Sequence, residues 1–570
     1  MTFIYTVTAA DWGRIAPELV LAVIVLVIMI TDLLLPQSEK GLKNSGPTNF
    51  VVLPVLSLLG LVGAFIATII LFAAGDQQTA FNQMVGSDNG SLYAYIIILS
   101  ASILGVLLSP AYLKRLNLVH QGEYYALFLL ATIGMMLMAA ATSFLLVFVG
   151  LEMLSLSLYI LCSFVTRRKS SQESGMKYFL LSSFASAFLL YGIALTYAAT
   201  GNTAFTGVSS FLARKAAAIN HSTITSAPIF HAPPLLLIAM GLLAVGFAFK
   251  VSAIPFQAWT PDVYDGAPAP ITAFMSVGTK AAALIAFARV FDVVFFHIQA
   301  DWQPIIWAIT ILTIIGGNVL ALVQSNVKRM LAYSSIAHAG YLLIGVVVGG
   351  TVGIASILFY LLCYAFMNLG AFGVVSILEQ VDNGGSSYSD IRGLWYRRPL
   401  LAGILAIFMF ALAGFPPMSG FAAKYYVFFA ALQGGHPELL IIGVLASVLG
   451  MYYYLRVAAT MFMEQEPVVA PTAPPAPVPS TGKRVSAALV TTNKRAAVRT
   501  ATAVAVKPTA TIARRSKTAA IVEPTKPSNS LAAFSWVALG LALLGTFAMG
   551  TFLPFWLVQA AQYAAQMMLR

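Results

Sequence analysis

LLAVGFAFKVSAIPFQAWTPDVYDGAPAPITAFMSVGTKAAALIAF, residues 242–287, holds two apolar runs joined by a proline- and glycine-rich stretch; one lysine closes the first run and another interrupts the second. Both runs are continuous rather than alternating, so they read as helices and not as barrel strands. Pro255 and Pro261 lack backbone donors, and a helix that reaches them must break or kink. Irregular backbone at membrane depth is tolerated only where it lines a cavity. Lys250, beside that break, is placed to exchange protons through water, with snorkelling to the interface as the alternative. Lys280 is harder to explain as a static residue. It stands about a dozen residues into its run among small side chains, where an ionisable group costs at least about 2.5–3.5 kcal/mol on insertion scales.

The whole chain extends this pattern. Hydrophobic residues make up 59% of 570 positions and charged residues 9%, whereas a soluble domain carries about a quarter charged. No soluble core hides that much apolar surface. Windows of about 19 residues place spans near 14–35, 51–75, 91–109, 123–140, 143–164, 173–199, 233–252, 268–297, 303–323, 329–348, 352–380, 398–432, 437–462 and 531–558. The fold class is therefore an all-α polytopic membrane protein of about fourteen transmembrane helices. The first run contains Glu18 and is followed by Asp32 and Pro36 without a small-residue cleavage site, so it is expected to be a retained span and not a signal peptide.

Alternate loops carry the positive charge: Lys40 and Lys43, Lys114 and Arg115, Arg167 to Lys169, Lys328 and Arg329, and Arg392 with Arg397 and Arg398. The other set has little beyond Arg214 and Lys215. The positive-inside rule puts the first set in the cytoplasm and both termini on the outer, periplasmic side. Residues 463–530 change abruptly to Pro, Ala, Thr, Lys and Arg, and read as a disordered basic cytoplasmic loop lying on anionic lipid, with no support for a nucleic-acid site.

Four more ionisable positions fall inside spans. Glu152 is central in LLVFVGLEMLSLSLYIL (145–161), and Lys177 opens the next span in GMKYFLLSSFASAF (175–188). Adjacent helices could pair them, either as a static bridge or as a couple in which each sets the proton affinity of the other. Lys424 follows a second interruption, AGFPPMSGFAAK (413–424), in which Gly414, Pro416, Pro417 and Gly420 break an otherwise long span. Two broken helices in comparable positions of the two halves point to an internal repeat of the kind transporters use. His338, in YSSIAHAGY (333–341), could relay a proton between lysine sites or simply pack by a hydrogen bond. Glu123, Glu173 and Arg289 lie near span ends and are expected at the interface. The two cysteines, Cys162 and Cys363, have no ligand spacing, the six histidines are dispersed, and no phosphate or dinucleotide loop is present. A redox cofactor or metal site in this chain therefore has no support.

GLEMLSLSLYIL, ESGMKYFLL, FKVSAIPFQAWTPDVYDGAPAPITAFMSVGTKAA, LAYSSIAHAGY and AGFPPMSGFAAK together resemble, in order, the membrane subunit N family of NADH-quinone oxidoreductase, the bacterial respiratory complex I. PDVYDGAP and Lys424 resemble subunit N more than its sisters L and M or the related cation/proton antiporter subunits. The resemblance implies two inverted five-helix repeats, 123–297 and 298–462, after an N-terminal segment 1–122; the basic loop 463–530 and a last helix in 531–570 follow. It also implies an inner-membrane proton path coupling Glu152 and Lys177 to Lys250, Lys280 and Lys424. NADH, FMN, iron–sulfur clusters and the quinone would belong to partner subunits. The alternative is a subunit of a secondary cation/proton antiporter. Gln257 stands where the family commonly has histidine and cannot itself carry a proton, and the 463–530 insert is atypical.

Overall fold

The computed structural model describes residues 7–35, 48–116, 118, 121–220, 232–379, 384–464 and 529–569. The loop expected over 463–530 falls, from 465 to 528, outside the described residues, as do Lys40 and Lys43.

Three long helices open the fold: α1 (Ala16–Leu34), α2 (Thr48–Ala74) and α3 (Asn89–Arg115). A short antiparallel ribbon, Thr79–Ala80 with Val85–Gly86, lies between the last two. Next come α4 (Gln121–Ala139), α5 (Phe144–Cys162) and α6 (Lys169–Thr200). A broken pair follows, α7 (Pro234–Val251) and α8 (Trp259–Gly266), and then α9 (Ala269–Ala288), which continues as a π-helical turn over Arg289–Val294. The second half runs through α10 (Gln299–Leu322), α11 (Val327–Val348) and α12 (Gly350–Leu378) to another broken pair, α13 (Pro399–Ala413) and α14 (Ser419–Gln433). It ends with α15 (Pro437–Phe462), α16 (Asn529–Thr551) and α17 (Pro554–Met568).

Thirteen of these helices are long and apolar enough to cross a membrane, and α13 is a shorter apolar helix followed by α14. The molecule is thus an all-α polytopic membrane protein. The boundaries follow local chemistry. Proline occupies the first turn of α7, α9, α13, α15 and α17, where a missing N–H costs nothing. Asp88 caps α3 through the Ser91 N–H, and Asn326 caps α11 through Lys328 and Arg329. The final span corrects the sequence expectation: 531–558 is not one helix, because α16 ends at Thr551 and Pro554 starts α17 at a new angle. Pro261 is also not part of the break. It sits in the first turn of α8, where no intrahelical donor is lost; the interruption is confined to residues 252–258, around Pro255.

Burial sorts the helices. The most apolar window of α9 is entirely buried, and α3, α11 and α12 are nearly so. By contrast α1, α2, α15 and α16 present large apolar side chains outward, among them Leu26, Ile30, Leu59, Ile66, Leu445 and Leu544. An all-round apolar helix in the interior and a one-sided one at the rim are what a lipid solvent selects. Close approach depends on small residues: a Cβ on Gly134 of α4 would lie 2.5 Å from the Leu154 nitrogen of α5. That pair holds α5, and with it Glu152, against the interior.

Candidate functional site

The first break leaves its lysine in the protein interior and not at a snorkelling position. Lys250, one residue from the end of α7, is 3% exposed. Its Nζ donates to Ser155 Oγ of α5 at 2.7 Å and Ser182 Oγ of α6 at 3.0 Å, and lies 5.3 Å from the centre of the Tyr178 ring. The helix can end there because Ser252 takes the left-handed conformation, φ 67°, and its hydroxyl accepts from Thr260 Oγ1 at 2.7 Å across the gap. Trp259 braces the same gap, donating Nε1–H to Phe249 O at 3.0 Å and stacking on Tyr178. The polar partners of Lys250 therefore come from the helices that carry Glu152 and Lys177. Gln257, the departure from the family pattern, lies inside the break, where its buried Oε1 has no hydrogen-bond partner.

Glu152 and Lys177 themselves do not pair. Glu152 is half-buried, and its Oε1 has no hydrogen-bond partner. Lys177 Nζ instead reaches Asp262 Oδ2 and Glu173 Oε1, each at 2.8 Å, and Arg329 holds the other oxygen of Asp262 at 2.9 Å. Asp262 was missed although it lies in the quoted PDVYDGAP stretch. Its role depends on α8 folding back against α6, which no local pattern reveals.

A second polar line runs from α9 of the first half into the interior of the second. Lys280, 1% exposed, donates to both the hydroxyl and the carbonyl oxygen of Ser335. Ser335, His338 and Tyr341 recur every three residues and share one face of α11. His338 Nδ1 is 2.7 Å from the Tyr360 hydroxyl and Nε2 is 3.1 Å from that of Tyr454, which in turn meets Ser334. Lys424 completes the line: its Nζ lies 5.6 Å from the Tyr341 ring centre. It donates to Leu412 O (3.0 Å), Ala413 O (2.9 Å) and Ser447 Oγ (2.9 Å). The two carbonyls are acceptors that the end of α13 leaves free at the second break. Among the described residues no hydrogen bond joins the Lys250 group to the Lys280 group.

Three charged clusters depart from the sequence reading. Arg289, expected at the interface, is 4% exposed and binds Asp88 at 2.6 Å and Ser91 at 2.6 Å. Arg168 and Lys328, counted above as loop cations, are buried around Glu379, at 3.0 and 3.2 Å. Glu18 is buried too and receives the Tyr95 hydroxyl. Each involves partners far apart in sequence, and none follows from helical spacing. Glu123 and Glu173 remain exposed near span ends, as expected.

Residues 141–450 match the family model described as NADH:quinone oxidoreductase/Mrp antiporter, TM. NADH-quinone oxidoreductase subunit N of Trichlorobacter lovleyi is 44% identical over 450 residues, covering 79% of this chain and 87% of its own. A chain in the structure of respiratory complex I from Thermus thermophilus with bound aureothin superposes with a TM-score of 0.64 at 29% identity, over 94% of this chain and 98% of that one. A chain of the Mrp complex from Dietzia sp. gives a TM-score of 0.72 at 20% identity, over 98% and 99%, and so shares the fold. The matched segment contains every buried lysine of the two polar lines, and on these grounds the chain belongs to the NADH:quinone oxidoreductase/Mrp antiporter membrane family, with subunit N of NADH-quinone oxidoreductase among its relatives.

Proposed function

We propose that this chain is the proton-translocating membrane subunit N of an NADH:quinone oxidoreductase and that Glu152, Lys177, Lys250, Lys280, His338 and Lys424 carry its protons. The observation behind this reading is the alternation of buried lysines with hydroxyls and imidazole. Lys250 meets Ser155 and Ser182, Lys280 meets Ser335, and the Ser335–His338–Tyr341 face leads to Lys424. Buried ammonium groups without carboxylate partners are poor structural glue, yet they can be loaded and unloaded through water. Lys177 is the mobile end of the input pair. Bound to Asp262 it leaves Glu152 uncompensated close to Lys250; returned to Glu152 it would change the charge that Lys250 experiences. Loading one site then disfavours the charge on the next, and the signal passes along the membrane.

This chain would work as one member of a multi-subunit membrane complex, with NADH, FMN, iron–sulfur clusters and quinone held by partner subunits. Its side with the basic loops would face the cytoplasm, so both termini would be periplasmic in an inner membrane. Residues 123–297 and 298–462 would form two inverted repeats, each with one broken helix.

Lys280→Ala, measured in native membranes, tests the reading. Quinone reduction and proton pumping are expected to fall together while the complex still assembles. Unchanged activity of an assembled complex would reduce Lys280 to a packing residue. Electron transfer that continues without this chain would point to the alternative, a subunit of a cation/proton antiporter.

A further inference from the structure

One buried carboxylate takes no part in the lines above. Asp292 lies in the π-helical turn that prolongs α9, is 4% exposed, and has no hydrogen-bond partner at Oδ2. A carboxylate left alone in an apolar interior is costly unless it holds a proton. Two charged residues close to it in sequence have other partners, although the buried Arg289 Nε has none. Arg289, three residues earlier, is taken by Asp88 and Ser91, and Asp301 accepts the Ala232 N–H at 2.8 Å.

Facing Asp292 is the turn between α11 and α12. Gly349 has φ 63° there, and a Cβ on it would lie 2.8 Å from Asp292 Oδ1. Two residues back, Val347 O accepts from Gln303 Nε2 at 2.8 Å. The same amide is 3.4 Å from His436 Nε2. His436 Nδ1 is 3.1 Å from Glu438 Oε1, which also accepts the Trp307 N–H at 3.0 Å. The His436 and Glu438 side chains are 21% and 42% exposed, so the hydrogen-bonded string from Val347 O through Gln303 reaches the surface, and the buried Asp292 lies against the same turn at Gly349.

This string closes one end of all three helices that carry the second polar line. Asp292 follows Lys280, Gly349 follows His338 and His436 follows Lys424 by eleven or twelve residues each, or roughly 16–18 Å of helix. We propose that Asp292, Gln303, His436 and Glu438 form the outward proton-release end of the path, an inference that rests on the function proposed above and on its sidedness. The Asp292 acid gives up its proton and is reloaded from the buried lysines through water. The released proton passes by water to the His436 imidazole, and from there to Glu438 or bulk solvent. Gln303 carries no proton; its amide holds the Val347 carbonyl and the imidazole side by side.

The test uses the whole complex in sealed vesicles, reading protons released per quinone reduced and the dependence of coupled turnover on external pH. Asp292→Asn and His436→Gln are each expected to slow coupled turnover by at least about tenfold, as loss of a proton-transfer group does. Both variants keeping the parental proton ratio and external-pH profile would overturn the inference. Should Asp292→Asn fail to assemble, Asp292→Glu must restore assembly and ratio together; Asp292→Leu assembling with the full ratio would refute it. Lys280→Ala separates the two readings. Pumping lost there but intact in the outer-end variants removes only this inference, whereas pumping intact in Lys280→Ala as well removes the function on which it rests.

Discussion

Lys177 illustrates how much one side chain can change the reading of a site. Its neighbour in sequence logic is Glu152, but its partners in space are Glu173 and Asp262. Asp262 is doubly held, by Lys177 and Arg329, and anchors the short helix α8 beside the break. Asp262→Asn is expected to lower coupled quinone reduction several-fold in an assembled complex by freeing Lys177 toward Glu152. Glu173→Gln should change the rate by less than about twofold, since exposed pairs contribute little, and Glu173 is 63% exposed. Initial rates in membranes normalised to assembled complex would distinguish the two. Gly420 bears on Lys424 in another way. A Cβ there would lie 1.8 Å from the Ala411 carbonyl oxygen, so Gly420→Ala forces the halves of the second broken helix apart. Overpacking of this kind costs about 1–3 kcal/mol. Gly241→Ala, at a helical position with nothing within 4 Å, should be neutral or stabilising by up to about 1 kcal/mol. Thermal stability of the purified complex compares them.

Among the elements, the broken helices are the ones whose local chemistry is most consequential. Residues 252–258 leave the helix because Pro255 has no donor, and the exit is shaped by Ser252, a non-glycine residue in left-handed backbone. Ser252→Gly should preserve the path of the chain but lose the hydroxyl that receives Thr260. Ser252→Val places a β-branched residue at positive φ and should be worse by about 1–2 kcal/mol. If the two variants were equally stable in a melting experiment, the left-handed cap would not be what ends α7. The second break terminates α13 at Gly414, φ 94°, and frees the carbonyls that hold Lys424. Both breaks thus do the same thing: a helix end is left inside the protein, and a lysine is held beside it.

For the molecule as a whole, the buried triad of Arg168, Glu379 and Lys328 ties the α5–α6 connection to the start of α11 and the end of α12. Glu379 also accepts the Ala269 N–H at the start of α9. Removing its charge by Glu379→Gln takes away the carboxylate that holds both buried cations, a change worth about 3–5 kcal/mol when a buried pair is broken. Much less assembled complex is expected on native gels, while Glu379→Asp should recover part of it. Full assembly of Glu379→Gln would show that the triad is dispensable. Composition and run length are enough to set the solvent of this protein, its helical class, its two breaks and the burial of Lys280, because a continuous apolar run of span length has one stable answer in lipid. They resolve the ends less well: α17 is absorbed into the last span since apolar residues continue past Pro554. Helix packing, by contrast, sets the pairing of charges: Lys177 with Asp262, Arg289 with Asp88, Lys328 with Glu379. A charge that cannot reach water must find its counterpart within the packed interior, and which counterpart lies within reach depends on how distant helices fold against one another, information that no local spacing carries.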